Sequence, residues 1–126
     1  MPGTDEHPIE IGPAGVHVRA EARGRAYIDS GAPIALKEAG YDTVYYAPMG
    51  DVAMNWLEKS DKVTHCPFKG DATHFHAVTP NGKLIENAVW VYENPKPGME
   101  AIKDHFAAYP DKLDVIREMP DGQPIL

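Results

Sequence analysis

Apolar and polar residues alternate along this chain in short runs, broken every eight to twelve residues by glycine, proline, asparagine or aspartate, which is the spacing of strands and turns. "VHVRAEA" and "RAYIDS" form the first pair, separated by Arg23-Gly24, and "PIALKEA" follows and ends at Gly40. "TVYYAP" is rich in β-branched and aromatic residues and is stopped by Pro48, which cannot donate to a ladder. Asp51 then precedes "VAMNWLEKS", where Val52, Trp56 and Leu57 share one helical face, so the pattern predicts a short helix with Asp51 as its N-cap. "KVTHCP" and "THFHAV" read as two strands joined through "FKGD". "TPNGK" predicts a two-residue hairpin turn at Asn81-Gly82, and "LIENAVWVYEN" is the strand after it. "GMEAIKDHFAAY" predicts a second helical piece, although Phe106 and Tyr109 fit a strand period as well, and "PDKLDVIREMPDGQPIL" closes the chain in turn residues.

These elements predict a mainly β single domain, a curved or partly barrel-like antiparallel sheet with one or two short helices. Too few segments are long enough to serve as crossover helices for a parallel sheet. The first thirteen residues carry three prolines, two glycines and three acids, so residues 1–15 are expected to form an extended N-terminal arm, 16–118 the domain and 119–126 a tail.

Composition narrows the function classes. The 126 residues suffice for one core without a disulfide or metal. Lys+Arg 12 against Asp+Glu 19 gives a formal charge of −7, which opposes the phosphate neutralisation that drives nucleic-acid binding. The single cysteine, Cys66, has no internal partner, so a reducing compartment is expected. "MPGTDEHPIE" lacks a basic start and an apolar run, and no later stretch approaches the ~20 apolar residues of a membrane span. The expectation is a soluble, cytoplasmic protein that needs no cofactor.

Candidate chemistry concentrates in "VTHCPFKGDATHFHAV", residues 63–78. Cys66 becomes a nucleophile where a cation or base stabilises its thiolate. His65 is next in sequence but points to the opposite face of a strand, whereas Lys69 lies in a turn before Gly70 and can fold back. Free cysteine is also a common inert core residue. His74 and His76 form a His-x-His pair on one strand face, a geometry suited to zinc, copper or nickel, with His65 or Cys66 as a third ligand; a solvated strand face is the plainer alternative. Paired acids in a strand context and phosphate-cradling glycine loops are missing, so nothing marks a nucleotide-transfer site.

Four blocks, "IDSGAPIALKEAGYDTVYYAPMGDV", "THCPFKGDATHFHAV", "ENAVWVYENP" and "FAAYPDKLDV", resemble, in this order, the bacterial and fungal family called domain of unknown function 427. The resemblance implies a β-rich, partly barrel-like fold related to that of methionine sulfoxide reductase B, and the family has been labelled a nucleotidyltransferase. Glu38, Tyr45, Tyr46, Pro48, Asp51, Cys66, Lys69, Gly70, Trp90 and Tyr92 fall on the family's motif positions. The chain departs from the pattern at "PMGDV", where relatives carry an arginine-bearing "PREDV", and at "LKE", where they carry "LHE". The histidines His74 and His76 are also this chain's own.

Two functions follow as expectations. One is a non-catalytic small-ligand site around the Cys-Pro-Phe-Lys-Gly turn, formed by Glu38, Tyr46, Asp51, Cys66, Lys69, Gly70 and Trp90. The other is a small-molecule enzyme using Cys66 and Lys69, with Tyr46, Asp51 and Glu38 as its polar shell. The acid, base and nucleophile do not assemble from the sequence, which favours binding.

Overall fold

The structure, a computed structural model, describes residues 8–119. Ten strands form two antiparallel sheets: β1 (Ile9–Pro13), β2 (His17–Ala22), β3 (Arg25–Ser30), β4 (Ile34–Glu38), β5 (Val44–Pro48), β6 (Leu57–Cys66), β7 (Gly70–Val78), β8 (Leu84–Val91), β9 (His105–Ala108) and β10 (Asp114–Glu118). Seven of them make one sheet in the order β1-β4-β5-β9-β8-β7-β6, and β10-β2-β3 make the second. The mainly β expectation holds. The sheet curves strongly without closing into a barrel.

The helices are where the chain departs from its pattern. Asp51 caps no helix; it ends a 3-10 turn, Met49–Asp51, whose N-cap is Pro48. A second 3-10 turn, Met54–Trp56, leads at once into β6, so residues 57–60 are strand and not the second turn of a helix. Val52 and Leu57 do reach one core cluster, but by an isolated bridge from Val52 to Ile28 and by strand geometry. In the other predicted helix only Glu100–Ile102 is helical, as a 3-10 turn, and the strand alternative for its second half is realised as β9. Nine- to twelve-residue segments have little intrinsic helicity in water, so tertiary pairing decides them.

Both ends of the domain are more ordered than their composition suggests. Ile9 is fully buried and β1 pairs with β4, so the arm expected over residues 1–15 is a sheet edge from Ile9 onward; residues 1–7 lie outside the described residues. The closing stretch read as turn residues, 110–126, contains β10, which pairs with β2; of the tail expected over 119–126, only residue 119 is among the described residues. At the β7–β8 connection Thr79 N–H bonds to the Lys83 carbonyl, so the loop has three residues, Pro80, Asn81 and Gly82, and Gly82 takes the positive φ (+81°) that ends such a loop.

Antiparallel partners share a face, which sorts the core. Ala47, Phe75, Val89, Val91 and Phe106 lie on the face packed against the three-stranded sheet through Ala20, Tyr27 and Ile28. The other face carries Leu36, Tyr46, Ala72, Trp90, Tyr92 and Ala107, joined by Ile9, Met99 and Ile102. That second face is the concave one.

Candidate functional site

The concave face holds polar groups that an apolar core does not need. Lys69, in the β6–β7 turn, donates from Nζ to Oε1 of Glu38 at the end of β4, at 2.6 Å. The two side chains are only 10% and 13% exposed. In sheet order, β5, β9 and β8 lie between β4 and β7, so the pair spans the inside of the curve. Local sequence sets up the reach: Gly70 holds φ +111°, where a side chain is strained and its Cβ would stand 3.4 Å from the Asn94 carbonyl. The Lys69 carbonyl accepts from Lys96 N–H at 2.9 Å, which ties this turn to the loop after β8.

Aromatic rings line the pair. Trp90 stands edge-on to Tyr46, with centroids 6.1 Å apart, and its indole N–H donates to the Tyr46 hydroxyl at 3.4 Å. Tyr92 lies 6.4 Å from Tyr46, and Trp90 packs on Tyr109 at 4.3 Å. Burial pushes the Tyr46 phenol far above its ordinary value, and Tyr92, Glu38 and Cys66 push it further. Burial likewise raises Tyr92, with Cys66, Tyr109 and Glu38 adding to the effect. Both phenols therefore keep their protons at any physiological pH, so they serve as hydrogen-bonding groups and not as bases or nucleophiles. Cys66, half-buried, lies near enough to act on both.

Of the residues expected at a site, Glu38, Tyr46, Cys66, Lys69, Gly70 and Trp90 therefore come to one face or its rim. Asp51 does not join them, because its carboxylate accepts from the buried Ser30 hydroxyl at 2.7 Å in the three-stranded sheet. Tyr92 and Tyr109 belong to the cluster although the site expected from sequence omits them. For Tyr92 the signal was present, since it lies two residues beyond Trp90 and shares its face.

The three histidines of residues 63–78 diverge. His65 bonds Asp71 at 2.8 Å on the exposed face, as strand alternation requires. His76 lies where the β7–β8 register shifts, and its Nδ1 accepts from Asn87 N–H at 3.0 Å. His74 is fully buried, stacks on Tyr109 at 5.9 Å and meets Thr64 Oγ1 through Nε2 at 2.9 Å, while its Nδ1 has no partner. Among the described residues no three His, Cys, Asp or Glu side chains are grouped to hold a metal ion.

Burial, reinforced by Lys62, lowers the His74 imidazole below its ordinary value of 6.5. A depressed imidazole favours the fold above that value and is lost as pH falls through it, since the unfolded chain then binds the proton more readily. As pH falls below about 6.5 the protein should lose stability more steeply than His74→Phe, in which the ring still stacks on Tyr109. Urea unfolding of both proteins at a series of pH values checks this, and parallel acid limbs would refute it.

With this geometry in view, the sequence comparison gives the class. The profile of a domain of unknown function (DUF427), labelled NTP_transf_9, matches residues 10–119. The chain belongs to this family. No curated protein matches it. None of its described helices is long and apolar enough to cross a membrane.

Proposed function

We propose that the concave face is a non-catalytic binding site for a small polar molecule, recognised by Lys69 and Glu38 and enclosed by Tyr46, Tyr92, Trp90 and Cys66. The observation that carries this reading is the buried Lys69–Glu38 pair. A buried ion pair is no better for stability than well-packed apolar residues of the same volume, so sheet closure alone does not account for it. A guest bearing a carboxylate or an ammonium can exchange with one partner and keep the other charge satisfied. Catalysis is less well supported by the same groups: Lys69 is engaged as a donor to Glu38, and burial keeps both phenols protonated. The label of nucleotide transfer gains nothing from this face, which brings together one carboxylate and one ammonium and not the paired acids that hold two metals.

A thermal-shift screen of metabolites on the full chain tests the reading, because a bound ligand stabilises by RT ln(1 + [L]/Kd), about 2.7 kcal/mol at a hundredfold excess over Kd. A hit at this face should slow alkylation of Cys66 by iodoacetamide and bind about tenfold more weakly to Tyr46→Phe, which removes one hydroxyl and little volume. Hits that neither protect Cys66 nor respond to Tyr46→Phe would sink the proposal. Rapid Cys66 alkylation with a thiolate titrating well below the ordinary thiol range would instead favour an enzyme built on Cys66.

A further inference from the structure

A second site lies on the other side of the same sheet. Strands β5 and β9 pair only at Ala47 with Phe106 and Pro48 with His105, then part. Each keeps its ladder on the far side, β5 with β4 through Val44–Tyr46 and β9 with β8 through Ala107 and Ala108. The gap is thus held open by two intact ribbons. A groove of about 690 Å³ occupies it, within the usual range for small-molecule sites. Val18, Ala20 and Ile28 of the three-stranded sheet contribute its apolar wall, and Trp90, which belongs to the concave face, is reached through the gap.

The charges at this groove define the guest. Arg117 of β10 lines it and donates from Nη1 to the Tyr45 hydroxyl at 3.2 Å. Among the described residues no carboxylate pairs with Arg117, whereas Arg19, on the neighbouring strand β2, is paired with Glu21 and Glu118. A guanidinium fork with spare donors fits one carboxylate. Asp42, exposed in the β4–β5 loop, also lines the groove and repels a second negative charge. We propose that the groove between the two sheets binds a small aromatic monocarboxylate, its ring against Trp90 and its carboxylate on Arg117. The guest lies outside the Lys69–Glu38 pair, so this site stands or falls separately from the one on the concave face.

The test is a titration of the isotope-labelled full chain with 3-phenylpropionate, with the uncharged 3-phenylpropionamide as control. Saturable shifts are expected at the amides of Tyr45 and Ala108 and at the Trp90 indole N–H, with Cys66 and Gly70 amides unmoved. The amide should bind about tenfold more weakly than the acid, and Arg117→Gln should lower affinity for the acid by a similar factor. Arg117 is exposed on an edge strand, so this variant keeps the fold. No saturable shift up to about 10 mM, a range that captures even weak binding, would overturn the proposal. Equal affinity for acid and amide, or for wild type and Arg117→Gln, would overturn it as well.

Discussion

Lys69→Met should destabilise the domain by about 3–5 kcal/mol, since it leaves the Glu38 carboxylate buried without its counter-ion. The cost comes from the surviving partner more than from the lost bond. With both side chains about nine-tenths shielded, water reaches Glu38 poorly and does not replace the lost ammonium. The double variant Lys69→Met/Glu38→Leu removes both charges and should recover most of the loss. Urea unfolding at neutral pH, with the two single variants and the double variant in one cycle, measures the coupling. A Lys69→Met cost below about 1 kcal/mol, the range of exposed pairs, would mean that the ion pair is effectively solvated. Recovery in the double variant together with lost ligand binding would separate the recognition role from the structural one.

Trp90→Ala should cost about 3–5 kcal/mol, as large-to-small changes at buried aromatics do. Trp90 is 9% exposed and touches both sides of the molecule's problem: it packs on Tyr109, stands edge-on to Tyr46, donates to the Tyr46 hydroxyl, and lines the groove between the sheets. Alanine removes all of these at once and leaves a void that neighbouring strands, fixed by their ladders, cannot fill. Trp90→Phe keeps most of the volume and should cost far less, while losing the donor to Tyr46. The comparison by urea unfolding isolates packing from hydrogen bonding. Similar losses in both variants would show that the indole N–H, and not the ring, carries the stability.

The strand content, the turn at Lys69-Gly70 and the opposed faces of His65 and Cys66 were all legible in the sequence because each depends on a period of two or on a local glycine. Six of the seven residues expected at the site converge for the same reason: Glu38, Tyr46 and Trp90 sit on one face of their strands, and Cys66, Lys69 and Gly70 form one turn. Asp51 failed because the sequence offers it a local role as a cap, whereas its partner, Ser30, lies 21 residues away. The helix after Asp51 failed similarly. Val52, Trp56 and Leu57 fit a helical face, but pairing of Leu57 to Ala77 on β7 outweighs the propensity of so short a segment. His74 reads as polar in any pattern, and only its place between Ala72 and Ala77 on a strand facing Tyr109 shows it as a core residue. The groove was invisible, since it is made by the absence of pairing between strands nearly sixty residues apart in the chain.

The two-residue contact between β5 and β9 divides the large sheet mechanically. On one side stand β1, β4 and β5; on the other stand β9, β8, β7 and β6. Within this sheet the two parts meet at Ala47–Pro48 against Phe106–His105, and Lys69 on Glu38 is a second tie, a clasp of opposite charges between β4 and the β6–β7 turn. A clasp made of opposite charges loosens when a competing ion takes either partner, which an apolar seam would not do. An ion that competes for either partner would therefore loosen this tie on the face where a polar guest would land.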